Sequence, residues 1–467
     1  MDQHEIAVRQ LLDSYRRTPA DQPVRLAKST SNLFRPRTDA TPAGLDVSGL
    51  TGVIAVDTEA RTADVQGMCT YEHLVEQTLR HGLMPLVVPQ LRTITLGGAV
   101  TGLGIESTSW RDGLPHESVL EMDVLTGAGE IVTASPTQNA DLFRGFPNSY
   151  GTLGYATRLR IELAPVSPFV VLRHVRFDDP EACCAAIAAI MRDRQWEGQP
   201  VDFLDGVMFA VDELYLTLGQ WADRADTRPS DYTGQQIYYR SLRERSRDVL
   251  RVQDYLWRWD TDWFWCSRAF GAQHPLVRRL WPRRWRRSDV YHRLVRLEHQ
   301  HQVSARIDRR RGLPPRERVV QDVELPLEQT PRFLRWFADE VGMAPVWLCP
   351  LRLREARERP RDQPPGDARS WTLYPLEPGR DYVNVGFWGT VARRYAAGSD
   401  GTDGAVNRAI EDRVADLDGH KSLYSDAYYE PDDFWAHYGG DAYGALKQRY
   451  DPEGRLLDLY RKVVERG

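Results

Sequence analysis

The sequence predicts an α+β fold: a strand-and-turn unit that cradles a ligand on glycine-rich backbone, followed by an antiparallel sheet backed by helices. Gly97, Gly98, Gly102 and Gly104 fall within eight positions, after an apolar run that ends at Pro89. Backbone of that kind can reach positive φ and approach a phosphate or a flat ring with no Cβ in the way. Around this stretch short strands alternate with glycine turns. After Pro165 and Pro168 the pattern changes to longer strands interleaved with helices, which suits a second, antiparallel layer.

Taken in order, Met1 to Arg17 reads as a polar amphipathic helix, and Val53–Asp57 with Ala63–Gly67 as a strand pair. Leu120–Thr126 alternates apolar residues, Gly127-Ala128-Gly129 turns the chain and Glu130–Thr133 returns it. A short helix starts over Asn139–Arg144, and strand Ala156–Leu163 closes the unit. Beyond it, Phe169–Phe177 predicts a strand, Pro180–Asp193 a helix, and Phe203–Val211 with Leu214–Leu218 a strand pair. Strands resume at Gln321–Leu325, Val346–Leu353 and Tyr382–Trp388, with a helix over Leu327–Val341. Arg352–Arg369, rich in Arg, Pro and Asp, reads as a surface loop. Glu430-Pro431-Asp432-Asp433 opens a capped helix, and Tyr450–Gly454 breaks the chain before a last helix over Leu456–Val464.

Gly102-Leu103-Gly104 supplies only the first two glycines of G-x-G-x-x-G. Neither a clean preceding strand nor an acidic ribose partner accompanies it, so a Rossmann site is disfavoured. Residues 24–165 instead resemble the PCMH-type FAD-binding domain of the vanillyl-alcohol-oxidase superfamily. From about residue 24 to the end, the chain resembles the FAD-dependent Δ24-sterol reductases. Pro85–Pro89, Thr95-Leu96-Gly97-Gly98 and Gly104-Ile105-Glu106-Ser107 look like their flavin loop, Val346–Pro350 like a strand of their cap, and Tyr424–Tyr428 with Phe434-Trp435 like their C-terminal segment. Thr30–Arg35 and Ser149–Gly154 are similar to the actinobacterial reductases that turn a methylene-branched fatty acyl chain into its methyl-branched form.

The resemblance implies an N-terminal helix (1–23), a two-subdomain FAD-binding domain (24–167), an inserted α+β cap or substrate domain on an antiparallel sheet (168–418) and a C-terminal segment returning to the flavin domain (419–467). It implies FAD held by Lys28, Thr30, Ser31, Asn32, Pro89, Gln90, Thr93, Gly97, Gly98, Gly102, Gly104, Ile105, Ser107 and Gly154. Many superfamily members attach the flavin through a His in the first loop; here that stretch reads Thr30, Ser31, Asn32, which implies non-covalent FAD. Some carbohydrate-oxidising relatives place a lysine where Ser425 stands, a departure that weighs against alcohol oxidation.

Composition bounds the rest. At 467 residues the chain can hold two or three domains. Its net charge of −5 hides segment 254–311, where fourteen arginines face six acidic residues among Trp257, Trp259, Trp263, Phe264, Trp265, Trp281 and Trp285. That mixture suits the headgroup layer of an anionic bilayer, or else a core whose arginines reach solvent. No nucleic-acid recognition module accompanies it. The five cysteines form no C-x-x-C and suggest neither a disulfide framework nor a metal site. Without a signal peptide, or the membrane anchor that animal sterol reductases carry, the expected place is the cytoplasm, with peripheral contact at the inner face of the membrane.

The implied reaction is reduction of an isolated lipid C=C bond with NADPH as hydride source. The preferred substrate is a methylene-branched fatty acyl chain of a phospholipid (10-methylene- to 10-methyl-stearoyl), made upstream by an S-adenosylmethionine-dependent lipid methyltransferase. Since such a bond is not conjugated to a carbonyl, an acid must protonate one carbon as hydride reaches the other. Candidate acids are Glu106, Cys349, Tyr424 and Asp426, with His420, Lys421 and Tyr429 nearby in sequence. The alternatives are a Δ24-sterol-type side-chain reductase, a flavin oxidase of alcohols or sugars, and a lipid-binding flavoprotein without turnover.

Overall fold

The computed structural model describes residues 3–28, 34, 44–301, 306, 310, 312, 315–354, 371–392 and 404–465, with backbone alone for 296–301. Thr30, Ser31, Asn32 and most of the predicted surface loop lie outside the described residues.

Helix α1 (Gln3–Arg17) opens the chain, as its amphipathic pattern predicts. It turns Ala7, Leu11 and Tyr15 into a small core with Val24, Leu45, Leu50 and Leu125. Tyr15 donates from its hydroxyl to Gly127 O at 2.6 Å. Strands β1 (Val53–Asp57) and β2 (Thr62–Gln66) form the predicted hairpin. They are followed by α2 (Tyr71–Leu79), β3 (Leu83–Pro85), α3 (Leu96–Thr101) and α4 (Ser109–Asp112). Strands β4 (Val119–Leu125) and β5 (Ile131–Ala134) pair across the glycine turn. Gly129 there has φ +79°, and an added Cβ would lie 2.4 Å from the Tyr15 ring, so both backbone and space require glycine. Helix α5 (Ala140–Gly145) and β6 (Tyr155–Pro165) complete an antiparallel sheet of order β1-β2-β6-β4-β5, with β3 also on β6.

The second layer begins with β7 (Phe169–Phe177) and α6 (Pro180–Asp193), where Asp179 caps the helix by accepting from Ala182 N. Next come a minor hairpin, β8 (Gln195–Trp196) and β9 (Gln199–Pro200), then β10 (Phe203–Ala210), β11 (Glu213–Ala222), α7 (Tyr238–Glu244), β12 (Arg247–Arg251), α8 (Val252–Leu256), α9 (Pro275–Leu280) and α10 (Ser288–His301). Strand β13 (Arg316–Pro326), α11 (Thr330–Trp336), β14 (Val346–Leu351), β15 (Tyr382–Ala392), α12 (Ala405–Asp416) and β16 (His420–Lys421) follow. The predicted helix over Leu327–Val341 is shorter at its start, beginning at Thr330 with Pro331 in its first turn, and ends as a π turn over Phe337–Val341.

The resulting eight-stranded antiparallel sheet has the order β12-β7-β11-β10-β14-β15-β13-β16, and its two faces differ in chemistry. Leu204, Met208, Leu216, Val323, Leu325, Leu348, Val383 and Val385 pack with Cys183, Ile187 and Ile190 of α6 into an apolar core. The alternate positions of the same strands carry Asp205, Trp347, Cys349, Asp322, Glu324, Asn384 and Trp388. Phe203, Val207, Trp347, Cys349 and Leu351 on this second face join the core of the first sheet, so the polar groups are enclosed between the two layers.

The chain ends with α13 (Pro431–His437), α14 (Gly440–Tyr450) and α15 (Leu459–Val463), and these return to the first layer. Lys447 Nζ donates to Thr152 O at 2.9 Å, Lys462 Nζ to Tyr150 O at 2.7 Å and Val24 N to Arg455 O at 2.7 Å. The last helix begins three residues later than its apolar pattern predicts because Asp458 caps it, accepting from Arg461 N at 2.8 Å.

Candidate functional site

Three stretches distant in sequence meet where the two layers face each other. Phe34 N donates to Tyr424 O at 3.0 Å. The Phe34 ring stacks on Trp263 at 5.4 Å and meets the edge of Tyr424 at 5.8 Å. The first loop, the Arg/Trp segment and the C-terminal segment are thereby joined.

At the first-layer side, Lys28 Nζ donates to Thr95 Oγ1 at 2.9 Å, and Thr95 in turn accepts from Gly98 N. The Lys28 side chain is half-buried and its ammonium end is the enclosed part; desolvation brings that group down to about 8. Among the described residues no carboxylate pairs with it. A Cβ at Gly98 would stand 2.8 Å from Thr95 Oγ1 and 3.4 Å from Lys28 Nζ. A cation bonded to a hydroxyl and unpaired with any carboxylate among the described residues, beside bare backbone, fits an anionic diphosphate. On the other side Ser425 Oγ is buried with no hydrogen-bond partner among the described residues, a polar atom that a bound ring could satisfy.

The other predicted glycines each lie close against the protein's own atoms. A Cβ at Gly97 would lie 2.7 Å from Gly67 O and one at Gly102 2.9 Å from Gly98 O. At Gly104 it would meet Pro115 and Pro89 at 2.6 and 2.8 Å, and at Gly154 Val124 at 2.5 Å. These four positions let backbone and side chains pack closely within the first layer. Gln90 Nε2 donates to Ile105 O at 2.7 Å and holds the two halves of the predicted loop together. Thr93 lies in the turn that leads to Thr95.

Of the candidate acids, Glu106 is buried and faces Arg258 Nη2 at 2.7 Å; the same nitrogen reaches Asp205 Oδ2 at 3.0 Å. Ser107 donates to Glu106 Oε1 at 2.7 Å, and its hydroxyl lies 2.8 Å from that of Tyr255. Burial raises the Asp205 carboxyl and Arg258 opposes that shift. Cys349 is on β14 inside this enclosure, and burial pushes its thiol far above the usual range. Asp426 pairs with Arg318, and Lys421 with Glu411 at 2.7 Å, so both charges are already neutralised.

Tyr424 has a different setting. Its hydroxyl accepts from Trp388 Nε1 at 2.9 Å and bonds to the Asp322 carboxyl. Asp322 also accepts from Asn384 Nδ2 at 2.9 Å, yet no cation is among its partners, and desolvation raises it to about 6. A Cβ at Gly386, directly across from Asp322, would lie 2.5 Å from its Oδ1, so glycine there leaves room for the carboxyl. Next in line Glu324, bonded by Ser422 at 2.5 Å, is pushed far upward by burial. His420 lies 3.3 Å from Glu324. Sequence reading missed Asp322, Glu324 and Asn384; the signal was two carboxylates, Asp322 and Glu324, two positions apart in the predicted strand Gln321–Leu325.

Among the clustered aromatics, Trp257, Trp259, Trp263, Phe264 and Trp265 are buried, so this part of the segment follows the core alternative. Trp388 sits 4.3 Å from Phe264 and 5.3 Å from Trp265 between ring centroids, so an aromatic wall stands beside Tyr424. Cys69 is buried and its thiol is raised to about 12, as expected of an inert packing residue.

An FAD binding domain family matches residues 8–135. The chain is 24% identical over 431 residues to the Delta(24)-sterol reductase of Homo sapiens, covering 89% of this chain and 77% of that protein. It is 22% identical over 452 residues to the Delta(24)-sterol reductase of Arabidopsis thaliana, covering 90% and 76%. Cytokinin dehydrogenase 2 of Oryza sativa subsp. japonica is 37% identical over 112 residues, 24% of this chain and 20% of that protein. The chain is therefore an FAD-dependent oxidoreductase with a PCMH-type flavin domain, similar over most of its length to the Δ24-sterol reductases.

Proposed function

We propose that the chain reduces an isolated carbon–carbon double bond of a lipid, using NADPH and non-covalent FAD, with the eight-stranded sheet as its substrate-side cap. The observation that carries this reading is the Asp322–Tyr424 pair, a buried proton store on the sheet face turned toward the flavin domain. The similarity to Δ24-sterol reductases supports the reaction class. Bound FAD supplies hydride once reduced. Everything else falls to the chain: Lys28, Thr95 and Gly98 hold the diphosphate, Ser425 bonds the ring, and Tyr424 gives its hydroxyl proton to one alkene carbon as hydride reaches the more substituted one. Asp322 then reprotonates Tyr424. The faces of Trp388 and Phe264 stabilise positive charge on the substituted carbon, and Arg258 positions Glu106 rather than freeing it as an acid.

Two lipids meet the chemical requirement. The names of the relatives favour a sterol side chain, whereas the Thr30–Arg35 and Ser149–Gly154 segments support a methylene-branched acyl chain of a phospholipid, with a lipid methyltransferase upstream. Membrane contact narrows to α9 and the residues after it. Leu276, Leu280 and Trp285 are 68, 84 and 50% exposed, and Arg279, Arg283 and Arg284 are exposed among them. Apolar groups at headgroup depth flanked by guanidinium groups suit an anionic bilayer surface. Among the described residues no helix is long and apolar enough to cross a membrane.

The test is anaerobic. The purified yellow protein is reduced with NADPH and then given methylene-branched phospholipid or a Δ24-sterol, with flavin absorbance and lipid mass both followed. Reoxidation with a gain of two hydrogens in either lipid supports the reading and names the substrate. A flavin that NADPH leaves oxidised, and an alcohol bleaches, overturns it in favour of an oxidase.

A further inference from the structure

A cavity opens on the cap, and Lys28 is not among its lining residues. It is a cleft of about 460 Å³ lined by Phe209, Tyr239, Arg240, Arg243, Arg268 and Pro345. Of its three arginines, Arg243 is matched by Glu213. Among the described residues Arg240 is held by neutral groups, Tyr239 Oη at 3.2 Å and Gln273 Oε1 at 2.7 Å, which steer its charge without cancelling it. Arg268 is exposed and has no carboxylate partner among the described residues. Glu244 is the acidic group on the rim. Two guanidinium groups without a carboxylate partner among the described residues, in a cleft also lined by Phe209 and Tyr239, make a site for a phosphate ester attached to an apolar body.

Position ties the cleft to the chemistry. Tyr239 meets Trp265 at 6.2 Å, Trp265 meets Trp388 at 5.3 Å, and Trp388 donates to Tyr424. Gln273, which fixes both Tyr239 and Arg240, lies two residues before α9, the element with exposed Leu276 and Leu280. Cleft, exposed apolar tip and proton donor are thus linked through adjoining side chains.

We infer that this cleft binds the headgroup phosphate of the lipid whose acyl chain is reduced at Tyr424. The inference rests on the lipid-reductase reading and deepens it: a substrate held this way carries a phosphate, which a free sterol lacks. The experiment uses the FAD-loaded full chain and dihexanoyl phosphatidylglycerol, a saturated lipid that cannot be reduced, below its micelle concentration. Binding is followed by tryptophan fluorescence, so the result does not depend on turnover. Arg268→Glu and Arg240→Gln are compared with the parent protein at equal FAD content, and 2′,5′-ADP and inorganic phosphate serve as the competing phosphates. Saturable lipid binding, weakened about tenfold by each substitution as expected for loss of a charge-assisted contact, supports the inference. Lipid affinity unchanged in both variants, or binding of 2′,5′-ADP with none of the lipid, overturns it. A lipid that binds in this way but whose unsaturated analogue is never reduced would sink the reductase reading and leave the phosphate site standing.

Discussion

Two groups of buried carboxylates lie at the same face of the eight-stranded sheet, Glu106 reaching it from the first layer, and what separates them is an arginine. Glu106 and Asp205 share Arg258, whose side chain is fully buried with both partners. Asp322 and Glu324 have hydroxyl and amide neighbours instead, with the His420 imidazole 3.3 Å from Glu324, and burial moves both upward, Asp322 to about 6. A carboxylate neutralised by arginine is an acceptor that fixes geometry. A carboxyl left to neutralise itself keeps its proton to higher pH, for Asp322 up to about 6, and can give it away. The first group therefore clamps the loop Glu106-Ser107 against the cap, where Leu204 N also donates to Ser107 O at 2.8 Å, and the second group stores protons.

The largest break in this comparison is Arg258→Met. It leaves two carboxylates enclosed without a counter-charge, at a cost of about 3–5 kcal/mol by analogy with other broken buried pairs. Urea unfolding is expected to show that loss, with most of it restored when Glu106→Gln and Asp205→Asn are added. Unfolding at the parental urea concentration by the single variant contradicts the clamp.

A second break uses pH. Asp322 holds its proton more tightly folded than unfolded, so its contribution to stability is full below its unfolded value near 3.8 and is lost as pH rises to about 6. The difference is on the order of 3 kcal/mol. Asp322→Asn removes that loss, so the variant is expected to be more heat-stable than the parent at pH 8 and nearly equal at pH 4. An equal deficit at both values denies Asp322 its raised proton affinity.

Cys349 sharpens the comparison because it lies between the groups, opposite Asn384 on the neighbouring strand. Burial raises its thiol as it raises the Tyr424 hydroxyl, but Tyr424 is bonded to the Asp322 carboxyl that can restore its proton. Cys349→Ala is expected to cost about 1 kcal/mol of packing and to leave alkene reduction close to parental in single-turnover assays, whereas a collapse of the rate would bring the thiol back into the chemistry.

Much of the architecture was legible beforehand, for reasons particular elements make plain. Pro180–Asp193 and Phe169–Phe177 carry period and caps in their own residues, so the structure returns them over the same spans. The short strand Arg247–Arg251 exists only through pairing with β7, and no local pattern announces it. At the site, Tyr424 was legible from its motif, but Asp322 becomes its partner only because β13 and β15 pair and Gly386 leaves space. Likewise the arginines and tryptophans of residues 254–311 are alike in sequence, and only the fold separates buried Arg258 and Trp259 from exposed Arg284 and Trp285.

The account turns on whether Asp322 and Tyr424 deliver the proton, and the alkene half-reaction tests that most directly. NADPH-reduced protein is mixed anaerobically with the lipid alkene across pH 5 to 8, and flavin reoxidation is timed in the parent, Asp322→Asn and Tyr424→Phe. The account predicts a parental rate that falls as pH rises through about 6, no such inflection in Asp322→Asn, a rate about 10²–10⁴-fold lower in Tyr424→Phe, and unchanged reduction by NADPH in all three. Parental reoxidation rates in Tyr424→Phe would contradict it.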